Sequence, residues 1–226
     1  MNPNYSKIRF LLWDNDGVLV DTERCYYAAG QQVLAEIGVA LTPELFKDVS
    51  LLHGKSLFDI AADHGLSTRQ CLELRHRRDQ LYSAMLHTEN IFIPGVDGVI
   101  KHCAAHFRMC IVSSSKKNNF YEIHSRTGNL LSYFEFQLLN GDYPRSKPHP
   151  DPWQKAMDRF QAHPDECLVI EDSPRGIQAA KRAGIGVIAV ESRYFNDSEL
   201  RSYLNASDFS IKRIIDLPKL LGLPIP

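Results

Sequence analysis

The chain has 226 residues, 26 Lys and Arg against 27 Asp and Glu, a net charge of −1 and 44% hydrophobic residues. That is enough apolar material for one large core, or for a core carrying a smaller inserted unit. The basic residues are scattered, which excludes the electrostatic footprint of a nucleic-acid binder, and no apolar run approaches the roughly 18 residues of a membrane span.

Taken in chain order, β-rich apolar runs occur at Ile8–Trp13, Met109–Ser113, Phe134–Leu139, Cys167–Ile170 and Gly186–Val190, with a weaker one at Asp208–Ile211. Helix-length amphipathic stretches lie between most of them, at Val96–Phe107, Asn118–Gly128, Pro152–Phe160 and Pro174–Ala183. Continuous apolar strands alternating with helices predict a Rossmann-like α/β core, a parallel sheet with helices on both faces.

One stretch breaks the alternation. From Thr22 to about Ile93 the signals are helical only. A stripe of Tyr26, Ala29, Val33 and Ile37 stops at Gly38, Thr42-Pro43 reads as an N-cap followed by proline, and Ser56 caps a short helix ending at Gly65. Ser67 to Gln70 has capping-box spacing, with Cys71, Leu74, Leu81 and Met85 following on one face. The cluster R75-H-R-R78 in that helix reads as a solvated face. The expected organisation is an α/β core of residues 1–20 and 94–226, interrupted by an all-helical cap at 21–93. Five separated cysteines without a C-x-x-C pair read as free thiols, and M-N-P-N-Y-S-K has no apolar leader. The expected location is therefore cytoplasmic, with no nucleic-acid or membrane partner and an open oligomeric state.

In open parallel sheets, ligands bind outside the carboxyl ends of the strands. The first strand ends in Asp14 and Asp16, with Gly17 behind them. The second ends in Ser113, Ser114 and Ser115, the loop after the third carries Lys147, and the fourth ends in Glu171 and Asp172. Two acids at the end of a buried strand need something that offsets their desolvation and mutual repulsion. Asp14, Asp16 and Asp172 offer oxygens suited to Mg²⁺, which would also neutralise a phosphoryl group placed among them. Ser113 and Ser114 can donate to phosphate oxygens and Lys147 adds a positive charge. One carboxylate can attack phosphorus while another serves as general acid and base.

D14-N-D-G-V-L-V-D-T-E23, I111-V-S-S-S115, S146-K-P-H-P-D151 and I170-E-D-S-P-R-G-I-Q-A-A180 resemble the four ordered motifs of the haloacid dehalogenase superfamily. More narrowly they resemble its β-phosphoglucomutase and phosphoglycolate-phosphatase-like branch, whose helical cap follows the first motif. By position, the resemblance implies Asp14 as nucleophile and Asp16 as general acid/base. It makes Ser113 the phosphoryl ligand and Lys147 the residue that steadies it. It implies Asp172 as a Mg²⁺ ligand with the Asp14 side chain and the Asp16 carbonyl, Glu171 acting through water or as an alternative ligand, and Thr22 in the linker to the cap. The cap loop L51-L-H-G-K-S56 makes His53 and Lys55 candidate specificity residues.

The expected activity is a Mg²⁺-dependent phosphatase acting on a small phosphorylated metabolite of the sugar or polyol phosphate class. A dehalogenase needs neither metal nor second acid, and a phosphonate hydrolase of this superfamily typically replaces the second aspartate; Asp16 counts against both. A mutase would carry a histidine where Tyr26 stands and an arginine where Leu57 stands. A non-catalytic phospholigand sensor would not need the full acid set. His102 and His106, four apart on a helix, lack a third metal ligand and read as solvated.

Overall fold

A computed structural model describes residues 5–223. In chain order its main elements are β1 (Phe10–Trp13), α1 (Glu23–Ala35), α2 (Pro43–Phe46), α3 (Leu57–Asp63), α4 (Thr68–Thr88), α5 (Val96–Ala104), β2 (Arg108–Val112) and α6 (Lys117–His124). Next come β3 (Phe136–Leu138), α7 (Asp151–Phe160), β4 (Cys167–Glu171), α8 (Pro174–Arg182), β5 (Gly186–Val190), α9 (Asp197–Leu204), β6 (Phe209–Ile211) and α10 (Leu217–Leu220). The chain divides into two units, residues 21–91 and the segments on either side of them.

In the first unit six parallel strands form one sheet in the order β3-β2-β1-β4-β5-β6. All four residues of β1 are buried, as expected of a strand covered on both faces. Leu11 and Trp13 point into one apolar layer with Ile111, Ile170 and Ile188, closed by Val99 and Ile100 of α5 and Leu217 of α10. Phe10 faces the opposite layer, where its ring lies 4.8 Å from Phe160 of α7. Fully burying side chains of this size contributes roughly 2 kcal/mol each. The register fixes where the polar residues emerge: Trp13 is level with both Ile111 and Ile170, so the chain leaves β1, β2 and β4 at one common end. The weak sixth run is a strand, pairing with β5 from Phe209 to Ile211.

The second unit is helical among its described residues. Thr42, Ser56 and Ser67 cap α2, α3 and α4 as their sequence suggests, the last two through complete capping boxes. Val33, Leu34, Leu41, Phe46, Leu57 and Phe58 form its core. A π-helical turn, Lys47–Leu52, precedes the loop at His53. The expected solvated face at Arg75–Arg78 is corrected at Arg78, which is 5% exposed. The buried residues of α4 are Leu74, Arg78, Tyr82 and Leu86, a stripe rotated by about one residue from the one expected. The Arg78 guanidinium lies 4.2 Å from the Tyr26 ring centroid and its Nε donates to Asp79 at 2.8 Å. Cation–π contact with Tyr26 and Phe58 offsets part of the cost of burying that charge.

Among the described residues no helix is long and apolar enough to cross a membrane. His102 and His106 lie ring to ring at 5.4 Å, and neither belongs to a potential metal-holding group among the described residues.

Candidate active site

Where β1 ends, the backbone N–H of Asp14 still donates to the carbonyl of Ile170 at 2.9 Å, so its side chain starts from a fixed point. Beyond it the chain winds around one oxygen: the Asn15 carbonyl accepts from the amides of Val18, Leu19 and Val20, and Gly17 N–H donates to Val20. Gly17 has φ +85°, and a Cβ there would stand 2.0 Å from Oδ2 of Asp172. The glycine therefore supplies a left-handed turn and also the close approach of the first motif to the fourth. Gly17→Ala should strain the backbone by about 1–2 kcal/mol and displace Asp172. Titration with Mg²⁺, followed by thermal shift, should show metal affinity lower by about tenfold or more.

Lys147 holds the centre. Its ammonium, on a residue only 4% exposed, donates to Oδ1 of Asp14 at 2.5 Å, to Oε1 of Glu171 at 2.9 Å and to the Val112 carbonyl at 3.0 Å. It also lies 4.3 Å from the Trp153 ring. Glu171, 1% exposed, takes the Ser173 backbone N–H and hydroxyl on its other oxygen, and Ser173 in turn caps α8. Burial disfavours charge on Lys147, but Asp14 and Glu171 outweigh it and hold the ammonium above its usual range. Burial pushes the Asp14 carboxyl up from 3.8 to about 8; Lys147 pulls the other way, and Glu171 and Asp16 add to the rise.

Asp14, Glu171 and Asp172 each present an oxygen within 4.8 Å of the others. All three are at least nine-tenths buried. With Asp14 ionised, three carboxylates and one ammonium leave two formal negative charges in a low-dielectric pocket, and hard oxygens are the donors that alkaline-earth ions prefer. The donor set thus fits a divalent cation in both charge and chemistry.

The Asp16 carboxylate is held apart from that cluster. Its Oδ2 accepts from the Ser115 hydroxyl at 2.8 Å, the Ser113 hydroxyl at 3.3 Å and the Asn15 side-chain amide at 3.3 Å. Of the serines at the end of β2, Ser113 is buried, Ser115 half-buried and Ser114 exposed. The structure thus brings Asp14, Asp16, Ser113, Lys147, Glu171 and Asp172 to one strand end and leaves Ser114 at its rim. His53 and Lys55 are exposed residues of the helical unit; the His53 ring nitrogen contacts the Asp48 carbonyl at 2.7 Å. Several supporting residues have no role assigned by the motifs. Tyr143 donates its hydroxyl to the Ser113 carbonyl at 2.7 Å, Arg175 donates to the Lys147 carbonyl, and Asn15 and Ser115 hold Asp16. Asn15, Ser115 and Arg175 stand inside the motif stretches, Asn15 between the two acids, whereas Tyr143 lies outside them.

Known proteins point the same way. The profile of the haloacid dehalogenase-like hydrolase family matches residues 11–190. The chain is 29% identical over 231 residues to (DL)-glycerol-3-phosphatase 1, mitochondrial, of Arabidopsis thaliana, covering 96% of this chain and 74% of that protein. It is 30% identical over 197 residues to a phosphoglycolate phosphatase of Nitrosospira multiformis, covering 83% and 85%. In structure it is similar to a conserved haloacid dehalogenase-like protein of Agrobacterium tumefaciens, with TM-score 0.78, 25% identity and coverage of 95% and 98%. With a family profile spanning most of its length and these relatives beside it, the chain is an enzyme of the haloacid dehalogenase-like hydrolase family, of the phosphoric monoester hydrolase kind.

Proposed function

We propose that this hydrolase is a Mg²⁺-dependent phosphatase of small phosphorylated metabolites, of the sugar or polyol phosphate class, working through an aspartyl-phosphate at Asp14. The observation that carries the reading is the pairing of buried Asp14 with Lys147, beside a second aspartate fixed independently by hydroxyl and amide donors.

Asp14 attacks phosphorus and the ester oxygen leaves, taking a proton from Asp16. Asp16 then accepts a proton from water as that water attacks the same phosphorus, releasing phosphate and restoring Asp14. Lys147 holds the Asp14 carboxylate in line and, with the Ser113 hydroxyl and Ser114, binds phosphoryl oxygens. Mg²⁺, held by Asp14, Asp172 and the Asp16 carbonyl with Glu171 beside them, would neutralise charge on the phosphoryl group. Exposed His53 and Lys55 of the cap are candidates for choosing the rest of the substrate. The glycerol phosphatase likeness over nearly the whole chain supports a polyol phosphate.

Two positions weigh against a mutase. Tyr26 packs edge-on against Tyr82 at 5.6 Å and beneath Arg78, and Leu57 is 1% exposed in the helical core. Neither can supply the histidine or arginine a mutase would need there. Five free cysteines support a reducing, cytoplasmic setting.

The test is release of phosphate from p-nitrophenyl phosphate, glycerol 3-phosphate and phosphoglycolate, with and without Mg²⁺. Turnover that persists in chelator would overturn the mechanism, as would glucose 6-phosphate accumulating from β-glucose 1-phosphate with a bisphosphate activator. Asp14 also imposes a pH dependence. A carboxyl raised to about 8 keeps its proton in the folded protein while the unfolded chain releases it near 3.8. Metal-free stability therefore falls as pH rises through that window. Metal binding below pH 8 must displace this proton, so affinity should rise by up to about tenfold per pH unit and level off above pH 8. Calorimetry in buffers of different ionisation enthalpy would count the proton.

A further inference from the structure

His124, the last residue of α6, is 4% exposed and has no part in the chemistry above. Its ring packs on Phe120 at 4.4 Å between centroids. Nε2 lies 2.7 Å from Oδ1 of Asn15, a residue with no exposed surface, and Nδ1 lies 3.0 Å from the Thr127 hydroxyl. Asn15 Nδ2 then reaches Oδ2 of Asp16. Four side chains thus run in series from the end of α6 to the second aspartate of the first motif.

An asparagine carboxamide presents a donor at one end and an acceptor at the other, and half a turn exchanges them. Asp16 as a carboxylate only accepts, so the attractive orientation places Nδ2 towards it and Oδ1 towards His124. An imidazole meets Oδ1 favourably only with hydrogen on Nε2, which leaves Nδ1 as an acceptor facing the Thr127 hydroxyl, whose one proton it shares with the His124 carbonyl, 3.0 Å from the same oxygen. Burial holds this ring neutral, pushing it down to about 4 although the Asp16 charge pulls the other way. A neutral ring with both nitrogens partnered has no need of water, and it locks the amide one way round.

We propose that His124 is a positioning residue for the general acid/base: acting through the Asn15 carboxamide, it fixes the rotation of the Asp16 side chain during turnover. The bond matters most once substrate is bound. In the free protein Oδ2 of Asp16 accepts from Asn15, Ser113 and Ser115. Ser113 is the one that phosphoryl oxygens would draw away, so the bonds from Ser115 and Asn15 then weigh more in orienting the carboxylate while Oδ1 faces the leaving group. Bonds from different directions define the plane of a carboxylate, and each one removed widens its swing. The inference rests on the proposed acid/base role of Asp16. It adds that phosphoryl binding, through Lys147 and Ser113, does not depend on the relay.

The test compares His124→Leu, which fills the space without a donor, with His124→Gln, whose amide can stand where Nε2 stands. The readouts are kcat and KM for p-nitrophenyl phosphate at saturating Mg²⁺, with thermal melting as the check on folding. Leu should lower kcat about tenfold, the scale expected when a reacting group is misplaced by a fraction of an ångström, and leave KM within about twofold. Gln should recover kcat to within about threefold of wild type. In an Asn15→Ala background, where the relay is already cut, His124→Leu should cause no further loss of kcat. An unchanged kcat in His124→Leu, equal losses in Leu and Gln, or additive losses with Asn15→Ala each overturn the relay. If His124→Leu does not fold, His124→Asn, too short to reach Asn15, takes its place under the same criteria. Histidine ¹⁵N spectra of the wild type should show His124 protonated at Nε2, and the Nδ1-protonated form would also overturn the relay. A wild type that hydrolyses no phosphate ester overturns the reading of Asp16 and this inference with it. An active wild type whose variants depart from these results overturns this inference alone.

Discussion

Asp14→Asn loses phosphate release by at least about ten-thousand-fold, the scale seen when a nucleophile is removed from an otherwise intact site, while the protein keeps its fold. The carboxamide has almost the same shape and fits the pocket at the end of β1. It cannot attack phosphorus at a useful rate, and neither Glu171 nor Asp16 replaces it: Glu171 is committed to Lys147 and Ser173, and Asp16 is held by Ser115. The fold survives because the substitution removes one of three acids crowded into a buried cluster. The Asp14 carboxyl is already pushed up to about 8 by burial, so native structure gains little from its charge in the absence of metal. Melting in chelator should therefore be unchanged or slightly higher than wild type, and the stabilisation by Mg²⁺ should shrink. Residual activity near wild type would transfer the nucleophile elsewhere.

Lys147→Met inverts that pattern by costing stability as well as rate. The methionine fills similar volume beside Trp153 but leaves Asp14 and Glu171 facing each other without the ammonium that both contact. Removing one partner of a buried ion pair costs about 3–5 kcal/mol, which for a chain of this size lowers the melting temperature by roughly 10 °C. The loss should be larger at pH 9 than at pH 6, because at the lower pH Asp14 relieves the repulsion by keeping its proton. The rate should fall by about a hundred- to a thousandfold, the range for loss of one preorganised electrostatic contact. A variant that melts with the wild type at both values would show that the ammonium is not holding these acids.

The strand ends that carry the candidate site are legible in the sequence because each is marked twice, by a β-branched or apolar run and by the polar residues that terminate it. The helical unit is legible through its caps, since Ser56 and Ser67 write their own start signals. What sequence leaves hidden has a physical reason in each case. Three consecutive serines end β2, and once the strand's alternation stops, sequence cannot say which of them turns towards Asp16; the structure selects Ser113 and Ser115. On α4, Leu74, Arg78, Tyr82 and Leu86 keep helical spacing, but the charge of Arg78 masks its place on the buried stripe. Helix α9 escapes notice although Asn196 and Glu199 form a capping box, because its exposed residues give a weak apolar rhythm. The link from His124 to Asn15 spans 109 residues of chain, and nothing local in either segment announces it.

The order of the sheet has a consequence for how this enzyme fails on heating. β1 is hydrogen-bonded along its length to β2 on one side and to β4 on the other, and the residues of all three run directly into Asp14, Ser113 and Glu171. Moving Asp14 out of place means opening two ladders together, whereas β3 and β6 at the rims can loosen by opening one. Fraying at the rims leaves Asp14, Ser113 and Glu171 aligned, so thermal inactivation should coincide with melting of the sheet and not precede it.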